Sequence, residues 1–134
     1  MSTFVPSVTA MTDARTTDAR STAARFFDRY AAALLARDER AVAGLYAVPA
    51  LILFPGSSIA VSDARQTEAF FRASWSQYEG VSEAQPSITL MGEAPHSLWA
   101  DVSWSYGGEV RERFCYQLVE GPDGYRIAVL TPLA

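Results

Sequence analysis

The chain has 134 residues, 49% of them apolar, and a formal net charge of −4. That is one domain's worth of globular sequence, long enough to bury a core without cross-links, and an acidic balance without clustered cations speaks against a nucleic-acid partner. A single cysteine, Cys115, excludes an intramolecular disulfide, and with His96 as the one histidine a zinc site would need a carboxylate cluster that the sequence lacks.

No metal and no cofactor are therefore expected. No apolar run nears the roughly 20 residues that span a bilayer, so no membrane partner is expected. The N-terminus has no basic stretch followed by an apolar one, and a cytoplasmic location is the default.

Residues 1–20 are rich in Ser, Thr and Ala and contain a near-repeat, Thr12-Asp13-Ala14-Arg15 and Thr17-Asp18-Ala19-Arg20. Apolar periodicity is missing, so this stretch reads as a mobile tail ahead of a single domain over 21–134. A first helix is predicted over 22–36, capped by Ser21 or Thr22. Phe26, Tyr30, Ala33 and Leu34 form its apolar stripe. Asp38 can cap a short second helix carrying Val42, Leu45 and Tyr46, which Pro49 ends.

Residues 50–54 are wholly apolar and read as a buried strand, closed by a Pro55-Gly56 turn. Asp63 with Gln66 three residues on resembles a capping box. It starts a third helix with Phe70, Phe71, Ser74, Trp75 and Tyr78 along one side, and Gly80 stops it. Four strands follow, over about 81–91, 98–106, 110–119 and 125–131. Helices followed by a meander read as an α+β domain, with helices packed on one face of an antiparallel sheet.

The central hairpin fixes its own register. A two-residue Gly107-Gly108 turn would oppose Trp104 to Arg111 and Val102 to Arg113. An odd loop, Gly107-Gly108-Glu109, instead pairs Val102 with Phe114, Ala100 with Tyr116 and Leu98 with Leu118, apolar against apolar. That choice puts Glu112 opposite Trp104 on the inward face. It also puts Trp99, Cys115 and Leu130 on the outward face, and Ile127, Val129 and Thr131 inward.

The segment 29–34 with Tyr30, a second helix ending at Tyr46, a strand ending in Phe54-Pro55-Gly56 and a helix with Phe70-Phe71 resemble the nuclear transport factor 2-like superfamily, in its ketosteroid isomerase and SnoaL-like branch. The likeness covers roughly 22–133. It implies a cone-shaped fold, three helices on a curved sheet, with a pocket between sheet and helices and often a dimer through the sheet. The isomerase branch uses a tyrosine on helix one, a carboxylate base at the end of the first strand and a protonated acid on a later strand. Tyr30 matches the tyrosine. Phe54 and Phe114 stand at the two acid positions. The histidine that SnoaL-like cyclases carry in the last strand is missing from residues 124–131. Limonene epoxide hydrolase-like members use an Asp-Arg-Asp set inside the pocket, whereas Asp101 and Arg113 point outward here as a surface ion pair.

A small apolar-ligand-binding domain follows, its pocket lined by Phe54, Trp75, Trp104, Phe114, Val129 and Thr131, and the missing acids favour a non-catalytic role. The alternative is a cofactor-independent isomerase, cyclase or dehydratase of a small hydrophobic molecule. There Tyr30 would polarise an oxygen and Glu112 would move a proton. A third reading is an association module. The partners expected are a small hydrophobic molecule and a second copy of the chain. That homodimer would form through Trp99, Cys115 and Leu130, since exposed apolar area of this kind marks an interface.

Overall fold

The computed structural model describes residues 8–54 and 56–134, with side chains from residue 18 onward. The first helix, α1 (Val8–Leu35), buries Ala19, Ala23, Phe26, Tyr30, Ala33 and Leu34 along one stripe. It starts at Val8 rather than near Thr22, so the expected tail over 1–20 is helical from Val8, and Ala19 is already buried. Nucleation is the costly step of helix formation, and residues without apolar periodicity of their own can extend a helix already held by packing. Residues 1–7 of that tail, and Pro55 of the expected turn, lie outside the described residues.

The chain reverses at Arg37, which holds a positive φ of 51°. α2 (Glu39–Ala43) then begins, with Asp38 accepting from the Ala41 amide at 3.0 Å. It is shorter than expected, because Tyr46 opens a strand, β1 (Tyr46–Ile52), instead of closing the helix. Pro49 sits inside β1, in the stretch between Tyr46 and Leu51 where the pairing with the neighbouring strand is irregular and no amide of its own is demanded. A three-residue strand, β2 (Ile59–Val61), follows that the sequence did not signal.

The capping box at Asp63 is real. Asp63 Oδ1 accepts from the Arg65 amide at 2.8 Å, and Gln66 Oε1 accepts from the Asp63 amide at 3.1 Å. α3 (Ala64–Ser74) runs into a one-turn 3-10 helix, Trp75–Tyr78. The meander is β3 (Gln85–Ala94), β4 (Ser97–Tyr106), β5 (Glu109–Gly121) and β6 (Gly124–Pro132). The six strands form one sheet in the order β2-β1-β6-β5-β4-β3. β1 runs parallel to β6, so the sheet is mixed rather than wholly antiparallel.

Three pairing shifts in the meander decide which side chains face the helices. Met91, Arg111 and Ala128 each stand as one extra residue against the partner strand. Such bulges bend a strand and raise its twist. The pairs expected for β4 and β5 are all present: Val102 with Phe114, Ala100 with Tyr116, Leu98 with Leu118 and Trp104 with Glu112.

Their cause differs from the expected odd loop. Gly107 and Gly108, with φ of 74° and 95°, make a two-residue turn that pairs Tyr106 with Glu109, and the Arg111 bulge supplies the odd residue. Val110 is consequently paired with Ser105 and 65% exposed. In β6 the Ala128 bulge puts Val129 opposite Gln117 and Thr131 opposite Cys115, on the outer face. Leu130 lies opposite Tyr116, in the core at 1% exposure. Val129 and Thr131 as pocket residues and Leu130 as an interface residue are therefore corrected, each by the inversion that one added residue imposes. No helix of the described residues is long and apolar enough to cross a membrane.

Candidate functional site

The inner face of the sheet carries a closed circuit of six aromatic rings. Tyr30 of α1 lies 5.6 Å from Trp104 and 6.5 Å from Phe71, ring centre to ring centre. Phe71 reaches Trp75 at 6.0 Å, Trp75 reaches Tyr78 at 5.9 Å, and Tyr78 reaches Tyr106 at 5.7 Å. Tyr106 closes the circuit by stacking on Trp104 at 6.5 Å. Alternation along β4 aims Trp104 and Tyr106 inward, while the helical spacing of Phe71, Trp75 and Tyr78 lines them along one side of α3 and the turn after it.

The circuit has a dry half and a wet half. Tyr30, Phe71 and Trp104 are buried, whereas Trp75, Tyr78 and Tyr106 are half-buried. In the dry half every polar handle is paired within the core. The Tyr30 and Tyr46 hydroxyl oxygens are 2.8 Å apart, and Trp104 Nε1 donates to Tyr116 Oη at 2.9 Å. Burial pushes the hydroxyl pKa of Tyr30, Tyr46 and Tyr116 well above the ordinary tyrosine value, so all three stay protonated.

Glu112 stands at the wet half. Its Oε1 accepts from Tyr106 Oη at 2.8 Å and from Tyr78 Oη at 3.2 Å. Burial first, with the Glu112 charge among the further causes, raises the pKa of both hydroxyls, so they remain donors. Arg37 lies beside them, but its guanidinium donates to backbone carbonyls: Leu35 O at 3.0 Å, Val81 O at 2.9 Å, Leu34 O at 3.4 Å and Tyr78 O. Two residues along β5 from Glu112, Phe114 meets Phe54 edge-on at 5.4 Å, and Phe54 stacks on Phe70 at 5.2 Å. Phe54, Phe70 and Phe114 are thus one aromatic cluster.

Tyr30 and Glu112, expected to act together, have separate partners: Tyr30 bonds Tyr46, and Glu112 bonds Tyr78 and Tyr106. Of the residues expected to line a pocket, Trp104 and Phe114 are buried in the aromatic packing and Phe54 and Trp75 are half-buried. The partners of Glu112 went unassigned in the sequence, although Tyr106 shares the inward alternation of Trp104 and Tyr78 the apolar side of α3. Two open grooves, of about 500 and 580 Å³, lie along α1 away from Glu112. Asp18 and Glu93 line one, Arg25 and Arg29 the other, with Thr22 and Tyr125 common to both.

On the outer face, Arg113 grips Asp101 at 2.9 and 2.6 Å, the expected surface ion pair. Trp99 and Cys115 point outward and are half-buried, and the Cys115 thiol lies 3.6 Å from Met91 Sδ. Burial, then the Asp101 charge, raises that thiol's pKa, which argues against a nucleophile. His96, exposed in the β3–β4 turn, pairs with Glu120 at 3.0 Å.

No protein-family model matches the chain, and no curated protein matches its sequence. Solved structures do match. A proposed dehydratase of the nuclear transport factor 2-like family from Streptomyces avermitilis superposes with a TM-score of 0.63 at 9% identity, over 87% of this chain and 97% of that one. A domain of unknown function with a cystatin-like fold from Nostoc punctiforme gives 0.64 at 13% identity, over 88% and 79%. A proposed aromatic ring hydroxylase from Novosphingobium aromaticivorans gives 0.64 at 15% identity, over 88% and 91%. At such identities the likeness speaks for architecture alone. Helices on a six-stranded sheet, superposing on these proteins over most of their length, make this an α+β chain of the nuclear transport factor 2-like, cystatin-like fold.

Proposed function

We propose that the chain is a binding domain for a small, largely apolar molecule, seated at the wet half of the aromatic circuit beside Glu112. The observation that carries this reading is the pair of tyrosine hydroxyls converging on Glu112 Oε1 within half-buried aromatic walls. A carboxylate turned toward aromatic surface costs free energy unless it is well bonded.

A proton-transfer enzyme is the second reading, with Glu112 as base. The same two hydroxyls favour it, since neutral donors beside a carboxylate are the parts that enolate chemistry needs. They also count against it. Both are spent on the carboxylate, where an oxyanion site would aim them at a substrate oxygen. Tyr30 is spent on Tyr46. Binding without turnover therefore comes first. The outer sheet face, with Trp99 and Cys115, is proposed as the contact with a second copy.

Backbone amide and Trp side-chain NMR of the native chain, titrated with small aromatic compounds such as benzyl alcohol and indole, tests the binding reading. Shifts centred on Trp75, Tyr78, Tyr106 and Glu112 are expected. Shifts centred on Tyr125 and Arg25, or none at millimolar compound, would overturn it.

A further inference from the structure

The arginines of the chain divide into two sets. Arg40, Arg65, Arg72, Arg111, Arg113 and Arg126 each face a carboxylate within ion-pair distance, and Arg37 is spent on backbone carbonyls. Among the described residues that leaves Arg20, Arg25 and Arg29 outside any ion pair, all of them on α1. Arg25 and Arg29 are one helical turn apart, so their side chains leave the same face of the helix. Both line the open groove of about 580 Å³ between α1 and the start of β6, together with Thr22, Asp28 and Tyr125.

Unlike the packed rings around Glu112, this groove has room, and its volume is that of a small-molecule site. Its charges are unbalanced. Two guanidiniums stand against one carboxylate, Asp28, which pairs with neither. Like charges one turn apart on a helix repel each other, and an anion set between them relieves the repulsion. Arg29 lies over the Phe26 ring, 5.7 Å from its centre, a contact that steadies the guanidinium while its N–H groups stay uncommitted. A planar fork of this kind matches a carboxylate.

The surrounding acids set the orientation. Asp18 and Glu93 line the neighbouring groove, which shares Thr22 and Tyr125 with this one. Burial first, then the Glu120 and Glu93 charges, raises the pKa of the Tyr125 hydroxyl, so negative charge is already close to that end. The Tyr125 end therefore suits an uncharged body, and the Arg25–Arg29 end takes the charge. One negative charge matches the one positive charge in excess. A phosphate dianion would leave a charge over among these acids.

We infer that this groove binds a monocarboxylate on a small apolar body, its carboxylate held by Arg25 and Arg29 and its body laid against Tyr125. It is a second site, independent of the reading at Glu112. No bond is made or broken. Because both arginines are exposed, salt should weaken the contact.

The test uses benzoate and benzyl alcohol, which share a ring, and inorganic phosphate, which has none. Each is titrated into the native chain at pH 7 and followed by NMR at Thr22, Arg25, Arg29 and Tyr125. Benzoate is expected to bind there about ten-fold more tightly than benzyl alcohol, in the range for hydrogen bonds to charged groups. Arg25→Gln with Arg29→Gln should erase that preference, and Asp28→Asn should tighten benzoate. All three positions are exposed, so the variants should keep the native amide dispersion. Should the double variant lose it, raising ionic strength on the native chain gives the same answer: benzoate affinity falls and benzyl alcohol affinity holds. Benzoate binding no tighter than benzyl alcohol, or a preference that survives the loss of both arginines, would overturn the site. Phosphate binding as tightly as benzoate would overturn the carboxylate assignment. Shifts at Trp75, Tyr78 and Tyr106 report on the Glu112 reading separately, and neither result decides the other.

Discussion

Tyr106 and Glu112 lie on opposite sides of a tight turn, yet the Tyr106 hydroxyl donates to Glu112 Oε1 at 2.8 Å. Two devices bring them together. Gly107 and Gly108 reverse the chain in two residues at positive φ, which non-glycine residues resist. The extra residue at Arg111 then leaves Val110 facing out and Glu112 facing in, on the side of Tyr106. The Glu112 carboxylate is aimed by a bulge.

Deleting Arg111 should therefore be tolerated. The pairs Ser105 with Val110 and Trp104 with Glu112 survive without the extra residue, so no side chain changes face. Deleting Gly108 instead uses up the extra residue: Gly107-Glu109 becomes the turn, Val110 moves opposite Tyr106 and Arg111 opposite Ser105, and the pairs from Trp104 with Glu112 onward are kept. The expected outcome is cooperative urea unfolding and native-like amide dispersion for both deletions, with the lower urea midpoint in the second, which loses a glycine of the turn. Loss of cooperative unfolding in the Arg111 deletion would mean that the bulge does not carry the odd residue.

Tyr30→Phe should behave as a core substitution. It leaves the Tyr46 hydroxyl, buried at 2% exposure, without its partner at 2.8 Å. An unpaired buried hydroxyl costs about 1–3 kcal/mol, and replacing both partners by apolar groups recovers much of that. Urea denaturation should show Tyr30→Phe destabilised and the Tyr30→Phe, Tyr46→Phe double variant less so than the two single losses added. Probe binding at Glu112 should hold in both. Loss of probe binding in a well-folded Tyr30→Phe would return Tyr30 to the site.

The α3 cap gives a pH signature. Hydrogen bonding to Arg65 holds the Asp63 carboxyl at about 2, below its ordinary 3.8. A depressed acid contributes stability that is fully present above its unfolded value and is lost as pH falls through its folded one. The window is therefore between about pH 4 and pH 2. Because the pair is exposed, salt should shrink the effect. Asp63→Asn keeps a capping side chain but has nothing to titrate. Its urea midpoint should fall less between pH 5 and pH 2.5 than that of the native chain, and an equal fall would remove Asp63 as a contributor.

The elements that sequence could show were those with a periodic or a capping signal. The stripe Phe26, Tyr30, Ala33, Leu34, the Asp38 and Asp63 caps and the pairs of β4 with β5 all follow from spacing and from matching apolar partners. Bulges have no such signal. Ala128 looks like any strand residue, yet it exchanges the faces of Val129, Leu130 and Thr131. The pairing of Tyr30 with Tyr46 was hidden for a related reason. Tyr46 reads as the end of a helix by proximity to Pro49, and only the pairing of β1 with β6 makes it the first residue of a central strand. Glu112 was found because register depends on many residues at once. Its partner Tyr78 was not, because the 3-10 turn that delivers it depends on tertiary packing.

A 3-keto-Δ5 steroid should not be isomerised above background. The resemblance to the isomerase branch puts that reaction's base at the position of Phe54 and its acid at that of Phe114, and those two rings pack edge-on at 5.4 Å. Turnover that survives Glu112→Gln would place the base somewhere else in the fold.

The last expectation concerns assembly, and the corrected face of Leu130 sharpens it. Across the outer sheet, Leu51 pairs with Val129, Val129 with Gln117 and Gln117 with Trp99, a row that is mostly apolar. Leu51 is 39% exposed and Met91, next to Cys115, is 58% exposed. A face of this kind on a single chain favours a self-complementary two-fold contact, in which each copy's patch covers the other's. Trp99→Glu places a charge at the end of the row. It should convert dimer to monomer in sedimentation at micromolar concentration while leaving the monomer folded. Leu130→Ala probes the inner face of the sheet, next to Val129 in β6. It should cost about 2–5 kcal/mol in unfolding, the range for truncating a buried leucine, with the dimer retained under native conditions. A native chain that sediments as a monomer would overturn the interface outright. A dimer that Trp99→Glu leaves intact would move the contact to another face.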